Sequence, residues 1–347
     1  MPLMPNFLER TLFLTLNQGP GVALDLWSGP AFRFVLAAIR LNLFDALVEQ
    51  PRTAQALAHV IQTDPHATAL LLAALESLGY IKRRGELYAL TGMSRKWLTD
   101  AGTLNFSPFY RYWGVLIEEF FPRLEESIRS GQPPANLYAW LEDHPEVSRD
   151  FQAGMSVLTE FVKDDVLKRI TLPPTTKRLL DLGGGHGTYS LALCQRYPTL
   201  AAVIMDSPQP LVSARDYIDR AGLGSRIATQ AGDFLHNDLG SGFDVALLFN
   251  VIHGLTAAQN RALLQRAQAA LNPGGQVFIL EQIPGSTPLP ISEATVRILG
   301  LSFFHLLGGQ CYAFPEIRSW LQDSGFVNVQ RKNIPKAGSA LIVGTLP

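Results

Sequence analysis

The chain has 347 residues, 47% of them hydrophobic and 17% charged, with 29 basic side chains against 30 acidic ones. Such a length exceeds one ordinary core and predicts two domains, while the near-zero net charge excludes the broad cationic field that nucleic acid requires. The two cysteines, Cys194 and Cys311, make no disulfide framework, which fits a reducing compartment and a cytoplasmic protein.

Near the N-terminus, residues 11–24 lack charge, but Asn17, Gln18, Gly19, Pro20 and Gly21 interrupt them, so neither a signal peptide nor a membrane span is expected. Helical spacing of Phe34, Ala38, Leu41 and Phe44 predicts a helix over 31–47. Thr53 has the character of an N-cap, and Asp64-Pro65 opens a further helix that Gly79 ends. The run 80–90 reads as a hairpin around Arg84-Gly85. Three helices and a hairpin make a winged-helix unit, expected within a first domain of residues 1–105. Its candidate recognition helix, 64–78, holds no Lys or Arg, so its apolar residues point to protein contact and a homodimer rather than to DNA. Residues 106–172 are helical in pattern and rich in aromatics, with a Pro-rich boundary at 171–176.

From 177 onward strand and helix patterns alternate, the mark of a mostly parallel sheet with crossover helices in a third segment, 173–347. Strands are predicted at 178–182, 201–205, 226–230, 244–249 and 276–281. A terminal antiparallel hairpin follows from 326–333 and 340–345. Helices are predicted near 187–197, 210–221, 256–271 and 315–324, and a buried helix over 297–307.

Ligands of open α/β sheets bind beyond the carboxyl ends of the strands, and each predicted strand here ends in a polar residue. The first strand ends at Asp181 before a turn rich in glycine: Gly183, Gly184, Gly185 and Gly187. Thr188 stands where the dinucleotide fingerprint needs its last glycine, which argues against a nicotinamide cofactor. Asp206, followed by Ser207, is placed to accept hydrogen bonds from ribose hydroxyls, or else to close a strand-end turn. Asp233 with Phe234 suits an adenine amino group and ring, or else a loop acid beside a core phenylalanine. The fourth strand ends at Asn250 and leads to His253; the fifth ends at Glu281. No set of His, Cys and acids has metal-ligand spacing.

With these residues assembled, the chain resembles the class I S-adenosylmethionine-dependent O-methyltransferases of the caffeic acid/acetylserotonin type, which also occur in bacterial secondary metabolism. The resemblance is carried by Asp181 to Gly187, Asp206-Ser207-Pro208, Gly232-Asp233-Phe234, His253, Leu271 to Gly275 and Glu281. It extends to Leu43 to Leu47, Ser77 to Tyr80, Tyr88 to Thr91 and Phe151 to Met155. It implies a Rossmann-like sheet behind a dimerising winged helix, and S-adenosylmethionine held by Asp181, Gly183, Gly184, Gly185, Asp206, Ser207, Asp233, Phe234 and Asn250. It also implies methyl transfer to a small acceptor with His253 as base and Glu281 as its orienter. Phe106, Tyr110, Trp113, Met155, Phe303, Phe304 and Tyr312 would suit a flat apolar acceptor, though most aromatic runs are core or subunit interface. His305 reads as a core histidine. Departures from the family pattern fall at the catalytic turn, His253-Gly254-Leu255 where the family reads His-Asp-Trp, and near Gln310-Cys311, where plant members hold a second acid. They leave open C-methylation, or a non-methylating reaction such as hydroxylation, decarboxylation or a pericyclic step. A winged-helix regulator and an NAD-dependent oxidoreductase are the readings from other classes.

Overall fold

A computed structural model describes residues 6–18, 21–102 and 104–347, and for Lys336 the backbone alone. Gly19 and Pro20 of the expected interruption lie outside the described residues. The chain forms two compact units, one of Met1–Phe121 with His144–Val157, the other of Pro122–Asp143 with Leu158–Pro347. The stretch 106–172 is therefore shared between them.

In the first unit, helix Ala23–Arg40 runs straight through Pro30. The helix expected over 31–47 stops at Arg40, because Asn42 takes a left-handed φ of 55°. A separate short turn, Asp45–Leu47, then brings Phe44 and Leu47 into the core. Thr53 caps helix Ala54–Ile61 through Ala56 N, and Asp64 caps helix Pro65–Ser77 through Ala67 N, each side-chain oxygen taking an N–H that the first turn leaves free. Strands β1 (Ile81–Arg84) and β2 (Leu87–Leu90) pair antiparallel. Helix Ser107–Glu119 carries an aromatic cluster, with Phe109 against Trp113 and Tyr112 against Phe151.

The second unit is built on seven strands: β3 (Arg178–Leu182), β4 (Ala201–Asp206), β5 (Ile227–Ala231), β6 (Phe243–Phe249), β7 (Leu271–Gln282), β8 (Val327–Ile334) and β9 (Ser339–Thr345). Their order is β5-β4-β3-β6-β7-β9-β8, parallel except for the two antiparallel pairings of β9. Strand alternation feeds both faces. Leu180, Leu182, Ala246, Leu248 and Ile279 pack on one side, and Leu179, Val245, Leu247, Phe278 and Leu280 on the other. Helix Pro290–Leu307 is longer than expected and only part buried, with Ile298 and Leu301 exposed.

The chain leaves β3 toward β4 on one side and returns to β6 on the other. A crevice therefore opens at the carboxyl ends of β3 and β6, the switch point where such sheets bind ligands. Among the described residues, no helix is long and apolar enough to cross a membrane.

Candidate active site

Glycine builds the turn after β3. Gly183 and Gly185 hold φ of 66° and 55°, a region most side chains avoid. A side-chain carbon on Gly183 would lie 2.7 Å from Val251 Cγ2 and 3.6 Å from the Phe234 ring. One on Gly185 would meet nothing within 4 Å. The turn thus packs tightly on the end of β6 at one glycine and opens bare backbone to free space at the other. Asp181 forms its floor. The carboxyl is almost fully buried, lies under Gly184 and accepts from Ser190 Oγ at 2.6 Å. Burial pushes it up to about 7, opposed by the Ser190 bond and reinforced by the charge of Asp206.

Asp206, ending β4, closes the turn. Its Oδ2 accepts from Gly185 N at 2.8 Å and its Oδ1 from Ser207 N at 2.7 Å. Burial raises its pKa against those two bonds. Asn250 takes a left-handed φ of 56° and accepts from Gln282 Nε2 at 3.1 Å. Phe234 is half-buried beside the turn. Asp233 is more exposed, and its carboxylate folds back on its own loop, to Leu235 N at 2.8 Å and His236 Nδ1 at 2.7 Å. His186 Nε2 and the Tyr189 hydroxyl, on and just after the turn, are buried without a hydrogen-bond partner.

His253 sits in the short turn Ile252–Gly254 beyond β6. Its Nδ1 lies 2.7 Å from Glu281 Oε2, and Glu281 Oε1 accepts from Ile252 N at 2.8 Å. Both side chains are buried, and the imidazole stacks on Phe303 at 4.0 Å between ring centres. A carboxylate only accepts, so a neutral imidazole in this bond carries its proton on Nδ1 and keeps its lone pair on Nε2. Phe304 is half-buried on the same helix, whereas His305 is a core residue bonded to Ser127 Oγ at 2.8 Å.

Asn260 and Gly309, which the sequence did not single out, hold this turn together with Tyr312, which it placed in the acceptor pocket. Asn260 is fully buried and donates through Nδ2 to the carbonyls of Ile252 (2.9 Å) and Leu255 (3.2 Å). Tyr312 also donates to the Leu255 carbonyl, at 2.6 Å, and packs edge-on against Trp320, so its hydroxyl serves the turn from within the core. Gly309 has no room for a side chain, since a carbon there would fall 2.0 Å from the His253 carbonyl oxygen. The sequence held one signal for Asn260. It shares a helical stripe with Leu263, Leu264 and Ala267, where a polar residue needs a buried partner. Cys311 occupies the region of the expected second acid. Burial, then the charge of Glu281, pushes its thiol up to about 12.

Of the remaining candidates, Phe106, Tyr110, Trp113 and Met155 belong to the first unit. There Phe106 meets Trp97 and Phe109, and Tyr110 stacks on Phe32. Among the described residues, no group of His, Cys, Asp and Glu is arranged to hold a metal ion.

Two outcomes follow from these contacts. Asn260→Ala removes a bond from each of two buried carbonyls, of which Tyr312 still serves that of Leu255, and is expected to cost about 1–3 kcal/mol of stability in denaturant titration; a loss below about 0.5 kcal/mol would show that the turn holds without it. Asp181 is raised from 3.8 to about 7, so between those values the folded chain keeps a proton that the unfolded chain releases. Its contribution therefore falls as pH rises through that window. Asp181→Asn is expected to flatten the decline, with a more favourable stability offset at about pH 8 than at about pH 5. Equal offsets at both pH values would sink this account.

Comparison with known proteins fits this geometry. Residues 126–327 match the model of the O-methyltransferase domain, and residues 28–100 that of the O-methyltransferase dimerisation domain. The 3-hydroxy-5-methyl-1-naphthoate 3-O-methyltransferase of Streptomyces sahachiroi is 26% identical, over 93% of this chain and 92% of its own length. The L-tyrosine C(3)-methyltransferase of Streptomyces lavendulae is 26% identical, over 88% and 86%. A solved O-methyltransferase family protein from Burkholderia thailandensis superposes with a TM-score of 0.82 at 24% identity, over 94% of this chain and 98% of that one. With its domain model spanning more than half of the sequence, the chain belongs to the O-methyltransferase family.

Proposed function

We propose that this enzyme methylates a hydroxyl of a small aromatic metabolite with S-adenosylmethionine as donor, and that His253 is the general base. One observation carries the assignment of the base: His253 Nδ1 is bound to the buried Glu281 carboxylate, which leaves Nε2 as the proton acceptor at the carboxyl end of the sheet. The glycine turn fits the donor. Gly185 offers bare backbone to open space, the half-buried Asp206 carboxylate keeps lone pairs for ribose hydroxyls, and the Phe234 ring flanks Gly183. Asp181 shapes the turn from below, Ser207 N bonds Asp206 beside it, and Asn250 follows β6. Asp233 meets an adenine amino group only by sharing the carboxylate that Leu235 N and His236 now hold.

Bound there, S-adenosylmethionine supplies a methyl group activated by its sulfonium. His253 Nε2 takes the acceptor's hydroxyl proton as the oxygen attacks, and Glu281 orients the ring and stabilises the imidazolium that forms. Assistance of this kind is worth about 10²–10⁴ in rate. Phe303, stacked on the imidazole, offers an apolar wall for a flat acceptor at the base. In this reading the winged helix makes a homodimer, residues 173–347 carry donor and base, and the protein works in the cytoplasm. The C-methylating relative and the Gly254-Leu255 departure favour a second reading, transfer to an aromatic carbon beside a hydroxyl that His253 deprotonates.

Labelled donor incubated with phenolic acceptors tests the assignment, and the position of the label separates oxygen from carbon. His253→Ala is expected to lower turnover about 10²-fold or more with donor affinity nearly unchanged. Asp206→Ala should instead weaken donor binding. If both variants lose donor affinity equally, the division of roles is wrong; tight donor binding with no acceptor ever labelled refutes methyl transfer.

A further inference from the structure

Tyr138 has no part in the mechanism above, yet it stands beside the turn that carries His253. It lies on the short helix Leu137–Glu142, held by the buried Leu137 and Leu141 and by Asn136, which caps Ala139 N. Its hydroxyl and ring edge come within 3.9 and 4.0 Å of the point where a side-chain carbon on Gly254 would stand. Gly254 directly follows the base, at the position where the family pattern has aspartate. The space over Gly254 is thus bounded by Leu307, at 3.5 Å, and by a phenol from a separate helix, with no carboxylate from the turn itself.

That hydroxyl makes no hydrogen bond to the described residues, and the side chain is 49% exposed. A tyrosine sealed in a core finds a partner for its O–H, whereas this one is open to a ligand. An ordinary phenol ionises only at about pH 10, and the charges of Asp206 and Glu281 act to raise that further. It therefore keeps its proton wherever the enzyme operates and acts as a donor. The two carboxylates that reach it electrostatically belong to the donor side and the base side of the site.

We propose that Tyr138 determines acceptor specificity: its hydroxyl donates a hydrogen bond to a second oxygen of the acceptor, adjacent to the hydroxyl that loses its proton to His253. The preferred acceptors are then aromatic rings with two neighbouring oxygens. This inference rests on the methyl-transfer reading. A ring with only one oxygen leaves the phenol unpaired, and a neutral hydrogen bond of this kind is worth about three- to tenfold in kcat/KM.

The test uses the full chain and its Tyr138→Phe variant with two matched pairs: catechol against 2-methylphenol, and 2,3-dihydroxynaphthalene against 3-methyl-2-naphthol. The parent is expected to favour the dihydroxy member of each pair. Tyr138→Phe should cut kcat/KM for that member by about three- to tenfold, leave the methyl-substituted member within about twofold, and leave S-adenosylhomocysteine affinity unchanged. Equal losses for both members would mark a structural role and overturn the proposal, as would a preference that survives in the variant or is absent from the parent. Those outcomes leave methyl transfer standing. A parent that labels none of the four overturns the methyl-transfer reading and takes this inference with it.

Discussion

One buried carboxylate fixes the turn beyond β6. Glu281 is 2% exposed at the end of β7, where an unpaired charge is strongly disfavoured. Its oxygens are met by Ile252 N and by the His253 imidazole, both from the turn beyond the neighbouring strand β6. Parallel pairing of β6 with β7, with Phe249 opposite Leu280, sets where that turn begins. The carboxylate therefore needs the turn for its own hydrogen bonds, and the turn takes the conformation that presents His253 Nε2. Asn260, Tyr312 and Gly309 secure the same few residues from the following helix and loop, so the position of the imidazole is determined from several directions.

The cofactor side follows a different rule. Asp181 and Asp206 both act on the glycine turn, but from below and from the side. Asp181 is sealed and bonded to Ser190, and its raised pKa reflects a carboxyl that shapes backbone without being stabilised as an anion. Asp206 is only part buried and takes two backbone N–H bonds, which favour its charged form against burial. In the proposed reading the acid that binds hydroxyls has to be reachable, and of the two only Asp206 is part exposed.

Much of this was legible in the sequence because a parallel sheet places its function at strand ends. Asp181, Asp206, Asn250 and Glu281 each end or directly follow a run of apolar residues, so periodicity located them within a residue or two. The N-terminal helix was misplaced for a physical reason. The apolar spacing of Phe34, Ala38, Leu41 and Phe44 placed the start at Ala31, whereas the structure carries the helix from Ala23 through Pro30, a residue that ordinarily breaks one. The opposite end was misread because Leu41 and Phe44 keep helical spacing while Asn42 reverses the backbone. Asn260 and the Tyr312 hydroxyl were illegible for another reason. Their partners are main-chain carbonyls, which carry no residue type for a pattern to reveal. Tyr312 read as one more aromatic wall, and only the bond to Leu255 shows its hydroxyl turned inward.

The departures from the family pattern then become consequences of packing. An imidazole needs one acceptor on Nδ1 to fix its tautomer, and Glu281 supplies it alone. A second acid near 311 would add another buried negative charge close to Glu281, and like charges there raise each other's pKa. Cys311 avoids that conflict, because a thiol pushed up to about 12 stays neutral. Gly254 acts in the same direction, since it brings no carboxylate of its own beside the base and leaves the adjacent space to the neutral phenol of Tyr138. Among the described residues, Glu281 is thus the carboxylate hydrogen-bonded to the His253 ring, and both of its oxygens are met.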